Sequence, residues 1–382
     1  MSRLLLGVAV AVLASLVASC GGGDDSTAPR TTAWTEEELA FPVGPATLNG
    51  VLTLPDSEGP HPAVVIASGS ESRAGSIQSG VANAYFAELA HRLAGVGYAA
   101  FRYDSKGVGT RDAAGFQTLE AKRDEVIAAL HRVQRHPSIR ADDVGLWGIS
   151  QEAWTISMAA AAEPDDVAFI IPVSGAGISV AEQQVWGIEA QSRAAGLSTS
   201  DVERATLVGG LLVDWQLAEP LFHAANERLV ATLGAGPWRD LYTLVYDSGA
   251  LGPAASLARG ITILASIKDE PWAQALYLDE LYLPRLRSVA PEQIEQLRAA
   301  SRRSLLMDPR DYLTRVTSPV LAFFGADDVV QPTDRSAKLY ARYLDEAGND
   351  DVTIVILPGV GHDISPSSPG YWDRLAQWLE ER

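Results

Sequence analysis

The sequence predicts an α/β fold: a mostly parallel central sheet with helices on both faces, interrupted by a helical insertion. Short apolar runs alternate with stretches of helical spacing, the pattern of βαβ units whose strands are buried on both sides. Strand signals vanish between residues 175 and 307, where helix starts take their place. They return at Val320, so one α/β domain with a helical insert accounts for the pattern.

Taken in order, Ser2 and Arg3 precede an apolar run, Leu4–Val17, too short to span a bilayer as a mature helix. Residues 1–19 read as a secretory signal peptide. The ending Val17-Ala18-Ser19-Cys20 resembles a bacterial lipobox, in which the cysteine is lipidated and becomes the first residue. Cys20 is the single cysteine of the chain, so no intramolecular disulfide can form. Residues 20–33 then read as a flexible tether, with GGGDDSTAPR offering nothing to bury. The expected location is therefore the cell envelope, with a lipid on Cys20 as the only membrane anchor. Residues 1–19 carry one arginine and no acid, so the remainder has 29 basic and 48 acidic side chains, a formal charge of −19. That balance argues against nucleic acid and against polybasic binding to anionic lipid.

The first part of the core is expected over residues 34–174. LAFPVGPATLNGVLTL (Leu39–Leu54) reads as two strands around a Gly-Pro turn, and AVVIA (Ala63–Ala67) as a central strand before the loop SGSESRAG. Ala84–Leu93 has helical spacing with Tyr85, Leu89 and Leu93 on one face. YAAFRY (Tyr98–Tyr103) is the next strand and Glu120–Val133 an amphipathic helix. Val144–Trp147 and Val167–Val173 read as buried strands flanking a helix that starts at Gln151. In the insertion, residues 175–307, Ser179–Glu182 and Ser200–Glu203 read as capping boxes. Its tryptophans, Trp186, Trp215, Trp238 and Trp272, are expected mainly in a core. Residues 308–382 complete the α/β core with strands Val320–Phe324 and Val352–Leu357 and a helix from Tyr371.

The chemistry centres on VGLWGISQEAW (Val144–Trp154), where a strand meets a helix at Ser150. A serine on such a turn is either an ordinary N-cap or a nucleophile lifted above the sheet edge, with the N–H of Gln151 aimed at a developing oxyanion. Serine must lose a proton as it attacks; an imidazole takes it and a carboxylate stabilises the imidazolium. Both partners follow, at strand ends. GADD (Gly325–Asp328) comes after VLAFF, and PGVGH (Pro358–His362) after VTIVIL. His362 is the histidine in position; His61, His91, His131, His136 and His223 precede a strand, lie on or after helices, or fall in the insertion. Asp327 and Asp328 both fit as the acid, and Asp328 is favoured. The order Ser, Asp, His is that of an α/β-hydrolase.

On these residues the chain resembles the serine α/β-hydrolases of the bacterial esterase, acyl-hydrolase and prolyl-oligopeptidase-like group, from about Ala40 to Arg382 outside the insertion. The resemblance implies an acid three residues after a strand-ending glycine, matched by Gly325 and Asp328 with Pro332 beyond. Asp308-Pro309 through Ser318-Pro319-Val320 is similar to the approach to that strand, and FRYDSKGVG (Phe101–Gly109) to the RYD-x-RG-x-G turn of the group. It also implies a second oxyanion N–H from the first central loop, here Ser70, where the usual His-Gly-x-Gly is replaced by Ser68-Gly69-Ser70-Glu71. A second departure is Glu152, where the elbow GISQE ends in a large charged residue instead of a small one. Glu152 has several possible placements: outward as a tolerated surface residue, beside Ser150 where it perturbs the base, or paired with an arginine or a substrate ammonium.

The expected function is a lipid-anchored, extracytoplasmic serine hydrolase that cleaves carboxylic ester or related acyl bonds through an acyl-enzyme. Its alternatives are a serine peptidase on short peptides and a catalytically silent binding lipoprotein. No cofactor and no metal are expected, since neither motif is present and this chemistry requires neither.

Overall fold

The structure, a computed structural model, describes residues 34–67, 79–106, 108, 118–247 and 251–382. The proposed signal peptide, Cys20, the tether, Ser70 with its loop, and Gly107 and Gly109 lie outside them.

Eight strands form one sheet in the order β1-β2-β4-β3-β5-β6-β7-β8. They are β1 (Trp34–Val43), β2 (Ala46–Pro55), β3 (His61–Ala67), β4 (Ala99–Tyr103), β5 (Ile139–Ile149), β6 (Ile170–Val173), β7 (Val320–Gly325) and β8 (Val352–Leu357). β1 pairs antiparallel with β2 and β2 with β4; every later pairing is parallel. Gly44 supplies the positive φ that the β1–β2 turn requires. β4 and β7 are buried along their whole length, as strands covered on both faces must be. β5 starts five residues before the apolar run at Val144; its outer half carries the exposed Arg140, Ala141 and Asp142, which hid it from a reading based on hydrophobicity.

Helices α1 (Ala84–Gly95), α2 (Leu119–Gln134) and α3 (Gln151–Ala162) follow β3, β4 and β5. α1 buries Phe86, Leu89, Ala90, Leu93 and Ala94, so its apolar face is centred one residue later than expected. Tyr85 sits at that face's edge, where its hydroxyl donates to the Ile364 carbonyl (2.6 Å). Together with the C-terminal helix (Tyr371–Glu380), α1 closes a core of Val64, Ile66, Trp147, Phe169, Phe323 and Leu375. Each such fully buried side chain contributes about 1.5–3 kcal/mol. Trp147 Nε1 donates to the Tyr371 hydroxyl at 2.8 Å, so the one polar edge of that indole is satisfied inside the core.

The chain divides into two compact units. Ile178–Asp308 with Val329–Pro332 forms the helical one, and the remaining described residues form the α/β one. The helical unit contains α4 (Val180–Ala194), α5 (Thr199–Leu217), α6 (His223–Leu233), α7 (Pro237–Tyr246), α8 (Pro253–Ile267), α9 (Leu283–Ser288) and α10 (Ile294–Leu305). Beyond the expected insertion it takes in the short segment after Asp328, where the Val330 carbonyl accepts from Gln183 Nε2 at 2.7 Å. Ser179 caps α4 as its spacing predicts, accepting from the Glu182 N–H. α5 differs: its cap is Ser198, which accepts from Asp201, so the helix begins before Ser200 and the expected Ser200–Glu203 box falls inside its first turn. Either serine precedes an acid three residues on; the earlier one wins because its cap leaves one more stretch of chain helical. Trp272 is buried in the helical core, with Trp215 and Trp238 packed partly buried against it. No helix among the described residues is long and apolar enough to cross a membrane.

Candidate active site

The sheet register brings the chemistry together. Ile149 pairs with Val173, Val173 with Phe323, and Gly325 with Leu357, so β5 to β8 end side by side. Ser150 follows β5, Ser174 follows β6, Asp328 follows β7 and His362 follows β8. The carboxyl ends of parallel strands are where open α/β sheets bind ligands.

Ser150 has φ 58° and ψ −120°, in the left-handed region of φ that costs a non-glycine residue of order 1–3 kcal/mol. Its side chain does not cap α3. Instead the hydroxyl meets His362 Nε2 at 2.9 Å, while His362 Nδ1 meets Asp328 Oδ2 at 2.8 Å. That excludes the ordinary N-cap and leaves the strained turn, held from behind by the Ser150 N–H to the Val173 carbonyl (2.8 Å). The turn also needs Gly148: a Cβ there would stand 2.5 Å from the Glu152 carbonyl oxygen. Gln151 opens α3, so its N–H is among the first-turn donors without an intrahelical acceptor.

Of the two adjacent aspartates, the second is the one that meets the histidine. Asp328 is buried and bonded to His362, whereas Asp327 is exposed and uses its N–H on the Val360 carbonyl. At Gly325 a Cβ would fall 2.1 Å from the Gly361 carbonyl, so only glycine lets the acid loop and the histidine loop approach this closely. The His362 carbonyl accepts from Ser174 Oγ at 2.7 Å. Ser174, itself at φ 51°, had only its place after a buried strand to recommend it in the sequence.

Burial is the largest single influence on His362 and pulls its pKa down. The charge and hydrogen bond of Asp328, with the charge of Asp363, outweigh it and hold the imidazole above its ordinary 6.5. The remaining histidines of the described residues have other partners or places. His91 pairs with Glu36, His131 with Asp166, His136 with Glu37, and His223 meets the Tyr242 hydroxyl; His61 opens β3.

Glu152 turns neither outward nor to an arginine. It is 3 % exposed, and its Oε1 lies 2.7 Å from Nζ of Lys122 on α2, itself 2 % exposed. Its Oε2 accepts from the Thr155 hydroxyl at 2.8 Å. Lys122 was missed in the sequence, although the signal was there: it occupies the buried stripe of α2 with Leu119, Val126, Ala129 and Val133.

Among the described residues one His-carboxylate grouping has metal-like closeness, His131, Glu163 and Asp166, with ligand atoms within 4.8 Å of one another. It is at the partly exposed end of α2 and the turn after α3, and shares no residue with the triad.

Residues 44–210, less than half of the chain, match the X-Pro dipeptidyl-peptidase (S15) family. No curated protein matches the chain. Among solved structures, dipeptidyl peptidase 4 from Porphyromonas gingivalis is similar at 15 % identity and a TM-score of 0.50, over 91 % of this chain and 35 % of that one. A putative dipeptidyl aminopeptidase IV from Bacteroides ovatus is similar at 10 % identity and 0.51, over 94 % and 37 %. The chain thus spans little more than a third of the length of these two relatives. An α/β hydrolase from a Penicillium species is similar over nearly the full length of both, 91 % and 97 %, at 18 % identity and 0.50. The sheet order and these likenesses give the chain the α/β-hydrolase fold, and at its strand ends stand a strained serine and a hydrogen-bonded Asp–His–Ser chain.

Proposed function

We propose that the protein is an exported, lipid-anchored hydrolase of carboxylic esters or related acyl compounds, acting through an acyl-enzyme. The observation that carries the catalytic part is the chain Asp328–His362–Ser150, closed by contacts of 2.8 and 2.9 Å around a serine at positive φ. Ser150 Oγ attacks the acyl carbon while His362 Nε2 takes its proton, and Asp328 stabilises the imidazolium. The N–H of Gln151 holds the oxyanion, with Ser70 as the second donor; one such donor is worth roughly 10²–10³ in rate. The intermediate collapses as His362 returns the proton to the leaving oxygen. Water, deprotonated by the same histidine, then releases the acid and restores Ser150. Export and anchoring rest on the Leu4–Val17 run and the Val17–Cys20 ending.

A second reading, a serine peptidase on short peptides, is favoured by the match of residues 44–210 to the X-Pro dipeptidyl-peptidase family. The same triad serves an amide when His362 protonates the leaving amine.

The test is labelling of the protein by a fluorophosphonate probe, beside Ser150→Ala. Labelling that disappears with the substitution establishes an activated serine; an unlabelled, folded wild type overturns the catalytic reading. Rates on p-nitrophenyl esters against Xaa-Pro p-nitroanilides then decide between ester and peptide. Incorporation of an alkyne fatty acid that Cys20→Ala abolishes would support the anchor, and incorporation that persists would sink it.

A further inference from the structure

The buried Lys122–Glu152 pair lies immediately behind the oxyanion donor of the proposed reaction. Glu152 follows Gln151 directly, so by chain geometry its carboxylate is within about 10 Å of the Gln151 N–H. A carboxylate that close to a developing oxyanion opposes it: at an effective dielectric near 20, one uncompensated charge at ~10 Å corresponds to roughly tenfold or more in rate. Lys122 Nζ, at 2.7 Å and equally buried, cancels that charge. The pair also fixes the first turn of α3. On one side the Glu152 backbone abuts Gly148; on the other its carboxylate is held by Lys122 and the Thr155 hydroxyl. Among the described residues, the ionisable groups beside the pair include Glu125 on α2, whose Oε1 accepts from the Lys106 N–H, and Tyr103, buried at the end of β4 facing Glu125 and Glu152.

We propose that Lys122 is a positioning residue of the catalytic elbow: by pairing with Glu152 it neutralises the carboxylate beside the oxyanion donor and holds the Gln151 N–H in place. It touches no reacting atom and acts through Glu152. This inference rests on the acyl-transfer reading, in which that N–H faces the oxyanion. It explains why the elbow accepts a large charged residue where the resembling hydrolases have a small one: the carboxylate is carried with its counter-charge, supplied from another helix.

The test is a double-mutant cycle on the full chain, with steady-state ester kinetics, fluorophosphonate labelling rate and thermal melting read in parallel. Lys122→Met is expected to lower kcat tenfold or more with KM within about twofold, because the uncompensated carboxylate acts only on the transition state. Once Glu152→Gln is in place, adding Lys122→Met is expected to cost less than threefold. A lysine that acts independently of Glu152 would cost the same in both backgrounds, and that result overturns the proposal, as does an unaltered kcat in Lys122→Met or a loss of kcat that merely follows the fall in melting temperature. Should Lys122→Met melt too low to assay alone, the comparison in the Glu152→Gln background still decides, a tenfold loss there being contrary. A wild type that neither labels nor turns over would bring down the acyl-transfer reading and this inference with it. A reactive wild type with a flat cycle removes this inference alone.

Discussion

Asp328–His362 and Lys122–Glu152 are both buried hydrogen-bonded pairs closed by contacts under 3 Å, and both join residues about thirty positions apart, yet only the first reaches the serine hydroxyl. The first joins two strand-end loops, and one member is an imidazole whose proton can move. The second joins two helices and holds two charges that have no role in proton transfer. Breaking a buried pair from one side strands a charge and costs about 3–5 kcal/mol. Any substitution at either pair therefore mixes stability with chemistry, and the two pairs differ in how these effects divide. In the proposed reaction, the rate suffers at the triad through a lost base and at the elbow through a charge left in the wrong place.

The largest effect that separates them is at the base. His362→Ala or Ser150→Ala is expected to lower kcat by about 10⁴–10⁶, and Asp328→Asn by about 10⁴, with a folded protein by circular dichroism. A His362→Ala enzyme retaining a tenth of wild-type turnover would remove the triad from the mechanism. Gly148→Ala comes next: its Cβ would sit 2.5 Å from the Glu152 carbonyl oxygen, forcing strand and helix apart. It is expected to destabilise by about 1–3 kcal/mol in urea unfolding and to slow labelling of Ser150, since the elbow is what must move. An unchanged midpoint would show that the close approach has slack.

A subtler distinction is in the pH profile. Because Asp328 and Asp363 hold the His362 pKa above 6.5, and the neutral imidazole is the active base, kcat/KM should fall with decreasing pH through a midpoint above 6.5. Asp328→Asn removes the main upward influence, so the residual activity should show a lower midpoint. A midpoint that does not fall would mean that another group limits the acid side. The smallest effect belongs to the helical unit: Ser198→Ala deletes the cap on the Asp201 N–H and should cost about 1 kcal/mol in thermal or urea melts. Ser200→Ala, inside the first turn, should cost less; the reverse ranking would restore the later helix start.

The hydrogen-bonded trio was legible because its members stand at the ends of strands, and a buried parallel strand announces itself as an apolar run with a glycine-bearing loop behind it. Ser150, Asp328 and His362 each follow such a run. The choice between Asp327 and Asp328 was not legible, since adjacent residues on a turn point in different directions and only the loop's course determines which is buried. The outer half of β5 escaped because Arg140, Asp142 and Asp143 break up its apolar character, and Ser198 because two serines precede acids at the same spacing.

By itself the sequence determined the alternation of strands and helices, the place of the helical segment, and the order in which Ser150, Asp328 and His362 arrive at strand ends, because these follow from local periodicity and the residues that end it. Only the tertiary structure decided which side chains share a buried space. Lys122 and Glu152 are thirty residues apart on separate helices, and neither has a local reason to be charged. Their pairing depends on how α2 and α3 lie together, and the low dielectric of that contact makes a partner for each charge obligatory.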